Sequence, residues 1–197
     1  MSFQDKLLDS FIAFEQVIDL DNPVHTVRKN ALKRFESDGF PTKKDELWKY
    51  TSLKSIIQKD YSLSVKSNPN VGLKDIEKYS INDIDSYKIV FVDGVFNPFL
   101  SNTTHDGMDI CVLSAALSKT KYKKTITKYF NKIVPDDQSL ASLNTSYTKE
   151  GAYIHIPKSV LPEDPVQILH FSSGKNKPLW LQPRNIIIVE ENARVEI

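Results

Sequence analysis

The one cysteine, Cys111, and the four histidines, His25, His105, His155 and His170, are the side chains in this 197-residue sequence best suited to hold a metal or attack a substrate. No two histidines lie three to five residues apart, so neither a helix nor a tight hairpin offers a ready pair of imidazole ligands. A single thiol excludes an intramolecular disulfide framework and any all-cysteine metal or cluster site within one chain. Cys111 alternates with Ile110 and Val112 in a strand-like run, where cysteine behaves as a small apolar filler. A nucleophilic role would need a neighbouring base. His155 and His170 each fall in a strand-like run, and the expectation is that both are hydrogen-bonded sheet residues.

Other chemistry-bearing patterns are weaker. Gly174-Lys175 is the nearest approach to a phosphate-binding loop, but Leu169 stands where the first glycine belongs and Asn176 where a Ser or Thr would bind Mg²⁺. Nucleotide hydrolysis, if it drives this protein's work, is expected from another subunit. Glu190 and Glu191 are adjacent carboxylates. Neighbours in an extended segment point to opposite faces, so they cannot flank one glycosidic bond, and a solvated turn is expected. Lys119, Lys121, Lys123, Lys124, Lys128 and Lys132 make a basic run with no arginine for bidentate contacts. The expected role is a solvated helix face, with docking of an acidic protein as the alternative.

The segment from Gly39 to Thr51 is the most unusual. Phe40, Trp48 and Tyr50 are large rings on a charged, irregular stretch. Such rings bury about 150–250 Å² each, enough to pin a loop. Packing against the strand-rich part is expected; an exposed recognition strip is the alternative.

The elements that must position these residues change character along the chain. Phe3, Leu7, Phe11, Phe14 and Ile18 share one helical face. Asn22 can cap a second helix with Pro23 at its first position, carrying Val24, Val27, Ala31 and Phe35 inward and ending at Gly39 in a left-handed cap. A short third helix is predicted after Thr51, with Leu53, Ile56 and Ile57 as its apolar side. Residues 62–86 are polar, including Asn68-Pro69-Asn70, and read as a loose connector with one short strand. Lys88–Val92 and Val95–Leu100 then flank Asp93-Gly94, a pair suited to a type I′ turn because both positions need positive φ. Asp109–Leu113 reads as a strand, with Ser114 able to cap the next helix. Tyr122, Ile126, Phe130 and Ile133 form a helical stripe, and Asp137–Tyr147 is a further predicted helix. Tyr153–Ile156, Val166–Phe171, Ile186–Val189 and Arg194–Ile197 are short predicted strands punctuated by prolines. A chain ending inside a strand is expected to be either an edge or a fragment of something longer.

Composition bounds the rest. The sequence is 40% hydrophobic and 26% charged with only 6 glycines, so it can bury a core. Its formal charge of +1 gives no global attraction for nucleic acid or an anionic membrane. No window approaches the ~20 apolar residues that cross a bilayer. The N-terminus lacks a basic and apolar leader, and a reducing cytoplasm is expected.

Several words of the sequence carry a family resemblance. GFPTKKDELWKYTSL closely resembles the motif near the N-terminus of the SufD family of the SUF iron–sulfur cluster assembly machinery. VFVDGVFNPFLS resembles that family's hairpin, LASLNTSYTKEGAYIHIPK its helix-to-strand entry and PRNIIIVEENARVEI the first coils of its β-helix. The related SufB is similar mainly in the β-helical part.

The resemblance implies an α+β fold: a helical N-terminal region over 1–60, a mixed hairpin and helix segment over 61–150, and the start of a right-handed parallel β-helix over 151–197. On this expectation the chain is truncated, and an uncovered coil would favour a homodimer of the fragment. It further implies a non-enzymatic scaffold subunit that contributes to iron entry, with SufB and the ATPase SufC as partners and recipient apoproteins as indirect ones. No catalytic, cofactor-binding or metal-binding residue is carried over. Rival readings are a self-contained, β-rich sugar- or ligand-binding module with Trp48 and Trp180 as stacking platforms, and an enzyme with Cys111 or the histidines gathered in one cleft.

Overall fold

The structure, a computed structural model, describes residues 1–63, 70–81, 83–105, 107–135, 137–173 and 178–197. Asn68-Pro69 and Gly174-Lys175-Asn176 lie outside them. The helices are α1 (Phe3–Glu15), α2 (Pro23–Asp38), α3 (Lys54–Ile57), α4 (Leu73–Glu77), α5 (Leu113–Ser118), α6 (Thr120–Tyr129) and α7 (Ser139–Tyr147). The strands are β1 (Tyr87–Val92), β2 (Val95–Phe96), β3 (Asp109–Val112), β4 (Ala152–Ile156), β5 (Val166–Phe171) and β6 (Ile186–Val189). The whole is a mixed α+β arrangement with N-terminal helices, small sheets, and α5–α7 between β3 and β4. No helix among the described residues is long and apolar enough to cross a membrane.

The chain divides into two compact units. The first comprises Met1–Leu63, Lys124–Lys149 and Lys177–Gln182. Its helices begin where local chemistry starts them. Ser2 Oγ accepts the Asp5 N–H at 3.1 Å while Asp5 returns the bond to the Ser2 N–H at 2.8 Å, a reciprocal cap on α1. Asn22 accepts the Val24 N–H at 3.1 Å and Pro23 opens α2. Gly39 ends α2 with φ 67°, although its ψ of −162° is not that of a left-handed cap. The core gathers Leu7, Phe35 and Leu143, flanked by Phe3, Phe40, Tyr147 and Trp180. Arg28, buried on α2, donates from Nε to the Thr148 carbonyl at 2.9 Å and so ties α2 to the end of α7. Burial depresses the Arg28 pKa to about 10, opposed by Asp19.

The second unit comprises Ser64–Lys123, Glu150–Asn176 and Pro183–Ile197. Among the described residues it holds two three-stranded sheets, ordered β2-β1-β5 and β3-β4-β6. β1 runs antiparallel to β2 and parallel to β5; β4 runs antiparallel to β3 and parallel to β6. The β1–β2 turn has φ 51° at Asp93 and φ 78° at Gly94, as a type I′ turn requires. One face of β1 (Ile89, Phe91) joins Ile110, Ala152, Ile154 and Ile156 in one core, and the other (Val90, Val92) joins Val71, Ile76 and Leu100 in a second. Burial on both faces explains why Ile89–Val92 is an unbroken apolar run.

Several expectations are corrected. β2 stops at Phe96 because Asn97 Oδ1 accepts the Phe99 and Leu100 N–H groups and winds Pro98–Leu100 into a 3₁₀ turn. The connector holds a short helix, α4, started by Asp75 accepting the Gly72 N–H at 2.9 Å, and Ser62 makes an isolated parallel bridge to Leu179. Ser114 lies inside α5 and donates to Glu150 at 3.0 Å instead of capping. Ile133 falls beyond α6 and is exposed. In α3, Ile56 is exposed, so its apolar side is not buried. Arg194–Ile197 forms no ladder: the Arg194 N–H reaches Val160 O at 3.2 Å and the Val166 N–H reaches Glu196 O at 2.9 Å, single bonds where a strand needs consecutive ones.

Candidate functional site

Strand alternation concentrates the chemistry of the second unit on one sheet face. Asp109 pairs with His155 and Cys111 with Tyr153 across β3 and β4. Ile110, Ala152, Ile154 and Ile156 take the core face, which leaves Asp109, Cys111, Tyr153 and His155 together on the opposite one. The first turn of α6 supplies two more groups. Tyr122 Oη donates to Asp109 Oδ1 at 2.7 Å, and Lys121 Nζ lies 3.1 and 3.0 Å from the two Asp109 oxygens.

His155 stands between two carboxylates. Its Nε2 is 2.9 Å from Glu190 Oε1 and its Nδ1 is 3.5 Å from Asp109 Oδ2. The first distance is a full hydrogen bond; the second is too long for one and gains strength only as an ion pair. Glu190 Oε2 also accepts the Lys158 N–H at 3.0 Å, and Lys158 Nζ reaches Glu191 at 2.6 Å. The turn at Glu190-Glu191 is solvated, as expected, and also acts as a clasp: the shared carboxylate of Glu190 pins the turn after β6 to β4 and to the residues that follow it.

The electrostatics of the cluster follow from these contacts. Burial pushes the Asp109 carboxyl up, but the Tyr122 hydroxyl, Lys121 and His155 together hold it below its ordinary value. His155 and the Lys158 N–H hold Glu190 down likewise. Burial raises the Tyr153 phenol, with Asp109 adding to the shift, and its hydroxyl has no hydrogen-bond partner among the described residues. The Cys111 thiol is also raised, by burial first, against a smaller opposing pull from Lys119. A thiol held protonated is a poor nucleophile. The arrangement is suited to holding three chain segments together through charge, with no activated nucleophile in it.

The other histidines are dispersed. His25 sits buried at the start of α2 with Nε2 3.1 Å from Glu15. His105 meets Tyr87 edge-on at 4.8 Å, and His170 stacks on Phe91 at 4.8 Å. His155 and His170 belong to different sheets. Among the described residues no group of three or more His, Cys, Asp or Glu side chains is placed to hold a metal ion. In the first unit Trp180 contacts Phe3, Phe40 and Tyr61 at 5.0, 6.3 and 5.3 Å.

The aromatic segment divides. Phe40 packs against helices and not against the strand-rich part, 5.8 Å from Phe3 of α1 and 5.1 Å from Phe35 of α2. Trp48 is half-buried, whereas Tyr50 is 90% exposed and Leu47 81%. Packing thus accounts for the ring at the start of the segment and leaves the other end in water.

Comparison with known proteins adds a different kind of observation. Residues 1–168 match the family model described as the SufBD protein N-terminal region. The chain is similar to the iron–sulfur cluster assembly SufBD family protein slr0076 of Synechocystis, 26% identical over 170 residues, or 86% of this chain and 37% of that protein. It is also similar to the SufBD family protein slr0074 of Synechocystis, 30% identical over 113 residues, or 54% of this chain and 23% of that protein. The chain therefore spans well under half the length of these curated relatives.

Proposed function

The chain belongs to the SufBD family, and from that premise we propose that it serves iron–sulfur cluster assembly as a scaffold subunit of the SufD kind. The observation that carries the proposal is the family match over residues 1–168. In this reading it works in the cytoplasm with SufB and SufC and catalyses nothing itself. SufC hydrolyses the ATP, the cluster is cargo built by the complex, and recipient apoproteins take it up. The Gly39–Thr51 words favour SufD over SufB within the family.

The same proposal reads β4 and β6 as the first rungs of a right-handed parallel β-helix. Four in-register parallel pairs, from Tyr153↔Ile186 to Ile156↔Val189, support it. So does exposure: Ile187 and Val189 share the core-facing side with Ile154 and Ile156, yet are 43% and 45% exposed. A further rung stacked there would cover them, as neighbouring coils do in a solenoid.

Co-expression of the tagged full-length protein with SufB and SufC tests the assignment. Recovery of a complex containing both is expected. Recovery of the tagged protein alone, at concentrations where SufB and SufC associate with each other, would overturn it.

A further inference from the structure

The strip from Pro41 to Ser52 is ordered by its own hydrogen bonds. The Asp45 carboxylate accepts the Thr42 N–H at 2.7 Å and the Thr42 hydroxyl at 3.1 Å, and the Lys44 N–H donates to Thr42 Oγ1 at 3.2 Å. Successive turns close from the Asp45 N–H to Thr42 O (3.0 Å), the Trp48 N–H to Asp45 O (2.8 Å) and the Thr51 N–H to Trp48 O (2.8 Å). No side chain of the 3₁₀ turn Glu46–Trp48 is buried. The backbone that carries Leu47 and Tyr50 is accordingly ordered, while neither side chain is used by the core. Burying a large apolar side chain is favourable, and this fold leaves that gain unrealised at both positions.

The charges around them lean cationic: the strip carries Lys43, Lys44 and Lys49 against Asp45 and Glu46. Asp45 is engaged by Thr42, which holds its carboxyl below the ordinary value. Glu46 is paired with Lys49 at 2.5 Å, and Lys49 Nζ also lies 5.2 Å from the centre of the Tyr50 ring. Lys43 and Lys44 are exposed, and neither acid of the strip forms an ion pair with them.

We propose that this strip is a docking surface for a protein segment that presents carboxylates together with apolar side chains, with Leu47 and Tyr50 as anchors and Lys43 and Lys44 as its charge partners. Pre-ordering favours such a role, because an anchor on an already ordered backbone loses less entropy on binding. Tyrosine is also among the residue types that dominate interface energetics. An anionic membrane is the weaker occupant: lipid-binding basic clusters carry about four to eight cations, and this strip has three lysines interrupted by two acids. The inference is independent of the assembly role proposed above, since the partner is defined by its chemistry alone.

Photo-crosslinking of the full-length protein in its native cells tests it, with Tyr50→p-benzoylphenylalanine as the probe and the exposed Lys29→p-benzoylphenylalanine as the control. The expected result is an adduct at position 50 whose crosslinked peptide, mapped by mass spectrometry, is acidic and bears apolar side chains. Its yield should fall at least fivefold when Lys43→Glu and Lys44→Glu are added, and again with Leu47→Asp. All of these positions are exposed, and unchanged circular dichroism confirms that each variant is folded. Adducts no stronger than the control, adducts to lipid or to a second copy, or a yield indifferent to charge reversal would each overturn the proposal.

Discussion

His155 Nε2 lies 2.9 Å from Glu190 Oε1 although the two residues are 35 positions apart in the chain, and this contact ties β4 to the turn that follows β6. Both carboxylates next to the imidazole are held below their ordinary values of 3.8 for Asp109 and 4.5 for Glu190. A carboxyl with a depressed folded pKa contributes stability that is present above its unfolded pKa and is lost as pH falls through the folded one. The native protein should therefore lose stability from about pH 4.5 downward. Asp109→Asn combined with Glu190→Gln should lower stability at pH 7 and flatten the acid loss. Urea denaturation at pH 7 and pH 3.5 measures both, and equal acid losses in native and variant protein would show that the clasp contributes nothing.

Gly151 sets where β4 can begin. Its φ is 152°, and a Cβ there would stand 1.9 Å from the Arg184 carbonyl oxygen. The contact is with backbone, and Arg184 is fixed by its own N–H to Glu150 O at 3.1 Å, so neither side can yield cheaply. Gly151→Ala should cost about 2–4 kcal/mol of stability, combining strained backbone with displacement of the β4–β6 pairing. Gly72→Ala, with nothing within 4 Å of the added Cβ, should stay within about 0.5 kcal/mol of the native protein. Urea unfolding of the pair separates a local steric cause from a general intolerance of glycine loss.

Asp93 has two tasks in the β1–β2 turn. It takes a positive φ of 51°, and its carboxylate accepts the Ser173 N–H at 2.8 Å and the Ser173 hydroxyl at 2.9 Å. Asp93→Ala removes both bonds and places alanine in a left-handed conformation, so a loss of about 2–3 kcal/mol is expected. Asp93→Asn keeps the turn preference and one acceptor oxygen and should cost about half as much. Equal losses in equilibrium unfolding would mean that the turn conformation, which both side chains do not favour alike, is not what Asp93 supplies.

Local chemistry explains which elements were legible in the sequence. The Asn22-Pro23 start of α2, the Asp93-Gly94 turn and the apolar face of α1 depend on residues within a few positions of one another, and each forms as read except that Ile18 lies beyond the end of α1. The clasp depends on pairing between distant strands. Its signal was present in the alternation of Asp109 and Cys111 with Ile110 and Val112, and of Tyr153 and His155 with Ile154 and Ile156. Two strands, each with one polar and one apolar face, can share a core only by bringing the polar residues together. The end of β2 was misread because Asn97 competes for the Phe99 and Leu100 N–H groups, a side-chain effect that alternation does not register. Exposure of Tyr50 was misread because ring size measures what burial would gain, not whether the chain folds back to achieve it.

Cys111 provides the sharpest test against an enzymatic reading. Burial raises its pKa, and the opposing influence of Lys119 does not restore the ordinary value. Thiol alkylation proceeds through the thiolate, so at pH 7 Cys111 should react with iodoacetamide at least about tenfold more slowly than free cysteine. The rate should rise with pH and should still be rising beyond pH 9, with no plateau near neutrality. Mass spectrometry of the full-length protein, followed over hours at several pH values, gives the profile directly. A plateau below pH 8, or a rate above that of free cysteine at pH 7, would place an activated thiolate on the β3–β4 face and give that cluster a chemical role in place of a structural one.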